Sequence, residues 1–190
     1  MRISSGVLRP HHIKQPKIKD LRATPYTVRI AIIKALGDRV RRARILDLFA
    51  GSGSLGLDCL SCGAREATFI DLHEDSVRKI HESLKILNLI GRGHIYRESC
   101  EGFIKRVPNN SYDLVFFTPP YTNLHLFLLP RIRRIVAEDG LLIVEHPPSI
   151  ETSQLVESSK HFNLSSKLDF GWSRVALLSP APQNQKLTVG

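Results

Sequence analysis

The sequence predicts an α/β fold: a doubly wound, mostly parallel sheet of seven strands behind a short basic N-terminal extension. Three observations predict it. From residue 44 onward, apolar runs of strand length alternate with segments of helical periodicity. The run Arg44-Ile45-Leu46-Asp47-Leu48-Phe49-Ala50 is broken only by Asp47 and leads through Gly51-Ser52-Gly53 into a helix with Leu55, Leu57, Cys59 and Leu60 on its apolar face. Gly51, Gly53 and Gly56 give G-x-G-x-x-G, and Asp71 closes the next apolar run twenty residues after Gly51. A glycine turn lets the backbone approach a ligand, and an acid at that distance can accept both hydroxyls of an adenosine ribose.

In chain order, Ile3 to Ile13 contains Gly6 and Pro10 and reads as a short hairpin or irregular strands. Lys14 to Leu21 is a basic linker broken by Pro16. Thr24 is the expected N-cap of a helix with Pro25 at its first position and Val28, Ile32, Ala35 and Leu36 along one face, ending at Gly37. The first strand and glycine turn follow. Ala67 to Asp71 is the second strand, Asp75 to Leu89 a helix with Val77, Ile80, Leu84 and Leu87 at helical spacing, and His94 to Tyr96 the third strand. Cys100 to Val107 is a short helix stopped by Pro108. Asp113 to Phe117 is the fourth strand. Asn123 to Ala137 is mostly helical, with Pro130 as a kink or a restart. Asp139-Gly140 turns into the fifth strand, Leu141 to Glu145. Ser149 to Ser159 is helical, Phe162 to Leu168 and Arg174 to Leu178 are two more strands, and Pro180 to Gly190 is a loose tail. The expected division is residues 1–43 for the extension, 44–179 for the cofactor domain and 180–190 for the tail.

Composition narrows the class of partner. The 190 residues carry a formal net charge of +9, and 42% are hydrophobic. Residues 1–44 hold twelve Lys/Arg against Asp20 and Asp38, so the whole excess lies ahead of the cofactor domain. A basic extension on a near-neutral domain points to a polyanion, most simply nucleic acid, rather than to a merely solubilising tail. The expected contacts are Arg2, Arg9, His11, His12, Lys14, Arg22 and Arg29. No apolar run approaches a membrane span, and Met1 to Gly6 lacks an apolar signal core, so a cytoplasmic protein with no membrane partner is expected. Three cysteines fit a reducing compartment. Cys59 and Cys62 form C-x-x-C, but no second pair completes a zinc site, and buried helix cysteines are the favoured account, with no metal.

Ligands of such sheets bind at the carboxyl ends of the strands. The fourth strand ends in Thr118-Pro119-Pro120-Tyr121. Consecutive prolines stiffen the loop, so its carbonyls and the Thr118 hydroxyl point in set directions. Tyr121 adds an aromatic face on which a base can stack. A rigid acceptor array beside an aromatic plate suits a planar amine.

Asp47 to Gly53 followed by Thr118 to Tyr121 resembles the class I S-adenosylmethionine-dependent methyltransferases that act on amino groups. Met1-Arg2-Ile3-Ser4-Ser5-Gly6-Val7-Leu8-Arg9 and Leu21-Arg22-Ala23-Thr24 resemble the RsmD-type family, which methylates the exocyclic N2 of a guanine in 16S ribosomal RNA. The resemblance covers about residues 1–178 and implies a Rossmann-like methyltransferase sheet with S-adenosylmethionine as cofactor. It implies cofactor contacts along Asp47, Phe49, Ala50, Gly51, Ser52, Gly53, Asp71, Leu72, Ser99 and Cys100, with Asp71 on the ribose and Ser99 facing the adenine amine. For Asp47, ordering of the glycine loop is favoured over direct cofactor contact. Thr118, Pro119, Pro120 and Tyr121 are then the catalytic loop that receives the amine. The implied partner is ribosomal RNA or the assembled small subunit, and the implied state is a monomer.

The chain departs from that family at three places. Thr118 stands where Asn or Asp is usual, and a hydroxyl is a weaker, less directional acceptor. Ile30 and Lys34 replace polar residues of the first helix. Val7 to Ile13 lacks the usual arginine-glycine-arginine pattern. These departures keep three alternatives open: a catalytically weak or inactive RNA-binding protein on the same fold, a methyltransferase for another amine (adenine N6 or a protein side chain), and, more remotely, a nicotinamide-dependent oxidoreductase.

Overall fold

The computed structural model describes residues 1–18, 23–159 and 161–182. The expected contact Arg22 and most of the expected tail lie outside the described residues. Thirteen regular elements follow in order: α1 (Tyr26–Leu36), β1 (Arg44–Leu48), α2 (Ser54–Ser61), β2 (Glu66–Asp71), α3 (Glu74–Ile86), β3 (Gly93–Arg97), α4 (Cys100–Arg106), β4 (Tyr112–Phe117), α5 (Leu129–Ile135), β5 (Val136–His146), α6 (Thr152–Ser159), β6 (Phe162–Asp169) and β7 (Arg174–Pro180).

The seven strands form one sheet in the order β3-β2-β1-β4-β5-β7-β6. The first five are parallel to their neighbours, whereas β7 runs antiparallel to β5 and to β6. Order reverses between β1 and β4, which makes their carboxyl ends the switch point where a ligand can enter. The apolar runs of β1 and β4 are buried on both faces. Alternate residues feed two cores. Ile45, Phe69, Phe116 and Ile143 pack beneath α1, α2 and α3. Leu46, Ile70, Phe117 and Val144 pack beneath α4, α5 and α6.

The N-terminal segment is tied to this body. Arg2 and His12 form a single antiparallel bridge, and Ile3 and Ile13 are buried in the first core. The Ser4 amide and hydroxyl both donate to Asp58 on α2, at 2.6 Å each.

Four expectations need correction. Thr24 does not cap α1: Pro25 holds the N-cap position with no side-chain cap bond, and the Thr24 hydroxyl turns to Glu145 instead. An N-cap side chain serves the amides two or three residues on, and with Pro25 at the cap position Thr24 lies one residue ahead of it. Ala35 is exposed, and Arg29 takes a buried place on the helix. The helix expected over residues 123–137 is shorter: a 3-10 turn over Leu126–Leu128 leads directly into α5, Pro130 sits in the first turn of α5 as a restart, and Val136 already belongs to the next strand. The turn expected at Asp139-Gly140 lies within β5: Tyr112 pairs with Val136 and Leu114 with Leu141, so residues between them bulge out of register.

Candidate active site

Five strand ends, those of β1 to β5, converge on one cavity of about 380 Å³. That is the size range of a small-molecule site. The glycine loop forms one wall. Gly51 and Gly53 adopt φ of +55° and +70°, values that side chains disfavour. Gly53 donates its amide to the Ala50 carbonyl at 2.7 Å, closing the turn, and opens α2 from its N-cap. Phe49 holds φ +60° without being glycine. Its ring packs edge-on against Phe117 at 5.6 Å and tilted against His125 at 5.1 Å, contacts that hold the strained turn in place.

Two acids sit behind the loop. Asp71 is buried and accepts the Gly51 amide at 2.7 Å on one oxygen and the His73 amide at 2.8 Å on the other. A carboxylate has about four lone-pair positions, so two remain for a ligand. Asp47 is buried and accepts the Gly56 amide at 3.1 Å. Burial pushes its carboxyl up to about 8; the Gly56 bond opposes this, and the charge of Asp71 adds to it. Asp47 thus ties the strand to the first turn of α2 while also lining the cavity.

The sequence-predicted residues fall as follows. Asp47, Phe49, Ala50, Gly51, Ser52, Asp71, Leu72 and Cys100 line the cavity, as do Thr118, Pro119, Pro120 and Tyr121. Burial pushes the Cys100 thiol up to about 12, so it offers an apolar surface rather than a nucleophile. Gly53 shapes the turn from behind: a Cβ there would stand 2.9 Å from Ile80. Ser99 is corrected. Its hydroxyl accepts the Gly102 amide at 3.1 Å as the N-cap of α4, and its exposed side chain is absent from the cavity wall, where Glu98 and Cys100 stand. A serine just ahead of a helix is recruited by the unpaired amides of the first turn.

Sequence reasoning missed Glu145, Thr24 and Ser173. Glu145 is the last residue but one of β5, is 5% exposed and lines the cavity. It accepts hydroxyls from Thr24 at 2.7 Å, from Ser173 at 3.0 Å and from Tyr121 at 3.4 Å. The signal was present, because an acid closing an apolar strand is what singled out Asp71.

The expected nucleic-acid contacts divide. Arg2, Arg9, His11, His12 and Lys14 are exposed, and Arg2 and Arg9 line a separate groove with Pro10 and Tyr26. Arg29 is corrected: it is 1% exposed, ion-paired with Asp58 at 2.5 Å and donating to the Arg2 carbonyl at 2.8 Å. It faces the protein interior because α1 turns that side toward α2.

The sheet order, with a glycine loop and a double-proline loop at one cavity, defines the class as a Rossmann-like methyltransferase fold. The particular family follows from comparison. The family described as Conserved hypothetical protein 95 matches residues 1–179, and the chain belongs to it, the RsmD family. YlbH of Bacillus subtilis (strain 168) is 29% identical over 161 residues, covering 82% of this chain and 88% of that one. Ribosomal RNA small subunit methyltransferase D of Haemophilus influenzae is 29% identical over 144 residues, covering 75% of this chain and 73% of that one. The Escherichia coli protein yhhF has the same fold, with a TM-score of 0.81 at 24% identity over 96% of this chain and 99% of its own.

Proposed function

We propose that the protein is an S-adenosylmethionine-dependent methyltransferase acting on the exocyclic N2 of a guanine in 16S ribosomal RNA of the small subunit. One observation carries the reading: the nucleoside-binding half and the amine-binding half share one wall-to-wall cavity, with Asp71 on one side and Thr118 to Tyr121 on the other.

The donor set fits the cofactor. The two open positions on Asp71 suit the ribose hydroxyls, Leu72 and Cys100 offer apolar faces to the adenine, and the glycine loop admits the methionine portion at backbone distance. When bound, the cofactor supplies an activated methyl group on a positively charged sulfur. The chain's own contribution is positioning and exclusion of water. The Pro119 carbonyl and the Thr118 hydroxyl accept the two amine protons and so direct the nitrogen lone pair toward the methyl. Tyr121 supports the base. The methylated amine is strongly acidic and releases its proton to water. The target guanine enters unpaired or flipped out of its helix.

The exposed bases of the N-terminal segment support RNA as the partner. Among the described residues no helix is long and apolar enough to cross a membrane. In this reading the protein works as a monomer in the cytoplasm. Residues 1–43 serve as the RNA-contacting extension and 44–179 as the cofactor domain. Thr118 supports a second reading, an RNA-binding protein of low activity, because the strongest acceptor of the amine loop is missing. The test is to incubate unmodified small-subunit particles with labelled S-adenosylmethionine, digest the RNA to nucleosides and identify the product. N2-methylguanosine is expected. N6-methyladenosine would move the reading to another amine, and bound cofactor with no product would favour the binding-only protein.

A further inference from the structure

Glu145 gathers three chain segments that are far apart in sequence. Its Oε2 accepts the Thr24 hydroxyl, just ahead of α1. Its Oε1 accepts the Ser173 hydroxyl, just ahead of β7, and more weakly the Tyr121 hydroxyl, just after β4. Tyr121 and Ser173 stand 2.8 Å apart. Ser173 gives its one proton to Glu145 at 3.0 Å, so the single Tyr121 proton goes to the Ser173 oxygen at 2.8 Å, and the 3.4 Å approach to Glu145 is the long branch of the same three-centre bond. A directed chain therefore runs from Tyr121 through Ser173 to Glu145. Ser173 is fully buried and Glu145 nearly so, which keeps water from competing for these bonds.

The same carboxylate stands beside the amine loop. Phe117, the last residue of β4, pairs with Val144, so Thr118 and Glu145 each directly follow that pair, and both line the same cavity. Proline fixes the backbone of the loop up to Pro120 but does nothing for the Tyr121 ring. The ring is held from its far end, by the phenol oxygen.

We propose that Glu145 is the positioning residue that sets the Tyr121 plate against the target base, acting through Ser173, and that Thr24 anchors its other oxygen. The proposal rests on the methyltransferase reading above. Glu145 does not touch the reacting atoms. Its effect appears in how well the base is presented, not in cofactor binding.

The experiment is a double-mutant cycle on the full chain, with Glu145→Gln, Tyr121→Phe and the double variant, measuring kcat, KM for unmodified small-subunit particles and cofactor Kd. Glu145→Gln is expected to lower kcat/KM for particles about tenfold with cofactor Kd unchanged. The double variant should be no worse than the more impaired single, because both changes break one chain. Glu145→Ala, which removes every acceptor, should fall below Glu145→Gln. Multiplying losses in the double variant, or an unaffected Glu145→Gln, would overturn the proposal. Trp172, the sole tryptophan of the chain, adjoins Ser173 and gives a second readout. Glu145→Gln and Ser173→Ala should shift its emission alike, and no shift in either would overturn the link. If the wild-type protein transfers no methyl, the methyltransferase reading fails. The proposal is then decided by emission and particle affinity alone.

Discussion

Arg29 Nη1 lies 2.5 Å from Asp58 Oδ2 with both side chains out of solvent. The pair binds α1 to α2, and through Ser4 and the Arg2 carbonyl it also binds the N-terminal segment to both. Burial raises the Asp58 carboxyl above its ordinary value, opposed by the Arg29 charge and the Ser4 bonds. Removing one partner of such a pair leaves the other charge buried and alone. Arg29→Ala is expected to cost about 3–5 kcal/mol in urea denaturation. Asp58→Asn keeps an acceptor for Ser4 but leaves the Arg29 guanidinium, which cannot shed its proton, buried without a counter-charge, and should cost at least as much. Equal stability of Arg29→Ala and wild type would contradict the anchoring role.

Thr118 sets the second expectation. A carboxamide there would add a stronger, directional acceptor for the amine. Thr118→Asn should raise kcat about tenfold, corresponding to ~1.4 kcal/mol of transition-state stabilisation, with cofactor affinity unchanged. Single-turnover methyl transfer measures this. A fall in rate would show that the pocket is built around the smaller side chain.

Asp47 makes stability depend on pH. Its folded value of about 8 lies above the ordinary carboxylate range, so the native state holds a proton that the unfolded chain releases. Stability therefore falls as pH rises from about 4 to about 8 and levels off above that. Asp47→Asn imitates the protonated acid and still accepts the Gly56 amide. Thermal melts of this variant should show a smaller decline over that window and a higher Tm at pH 8.5 than wild type. A lower Tm at pH 8.5 would mean that the ionised form is favoured in the fold.

Gly56 permits contact between α2 and β2. A Cβ there would stand 2.3 Å from the Phe69 ring. Gly56→Ala gains helix propensity but overpacks the core, for a net loss of about 1–2 kcal/mol in chemical denaturation. A stabilised variant would mean that the Phe69 ring yields easily.

The central strands β1, β2, β4 and β5 were legible because each carries a buried, mostly apolar run of four to six residues, too short for a helix. Asp71 and the loop from Thr118 to Tyr121 were legible because they follow such runs directly. Arg29 was not. A charge on a helix reads as exposed unless the partner is known, and Asp58 is 29 residues away on another helix. Thr24 left the cap expected of it, and Ser99 took up a cap that was not expected, for a similar reason. Which hydroxyl caps a helix depends on what else lies in reach, and Glu145 is 121 residues from Thr24. Glu145 itself carried the same local pattern as Asp71, but only the fold brings Thr24, Tyr121 and Ser173 around it.

The most direct test of the central claim is methyl transfer to isolated ribosomal subunits. Unmodified small-subunit particles and, separately, large-subunit particles are incubated with the protein and labelled S-adenosylmethionine, and methyl groups per particle are counted. The account predicts incorporation approaching one methyl per small-subunit particle, on a single guanine N2, and none on the large subunit. Incorporation into the large subunit alone, or none into either in the presence of bound cofactor, would contradict it.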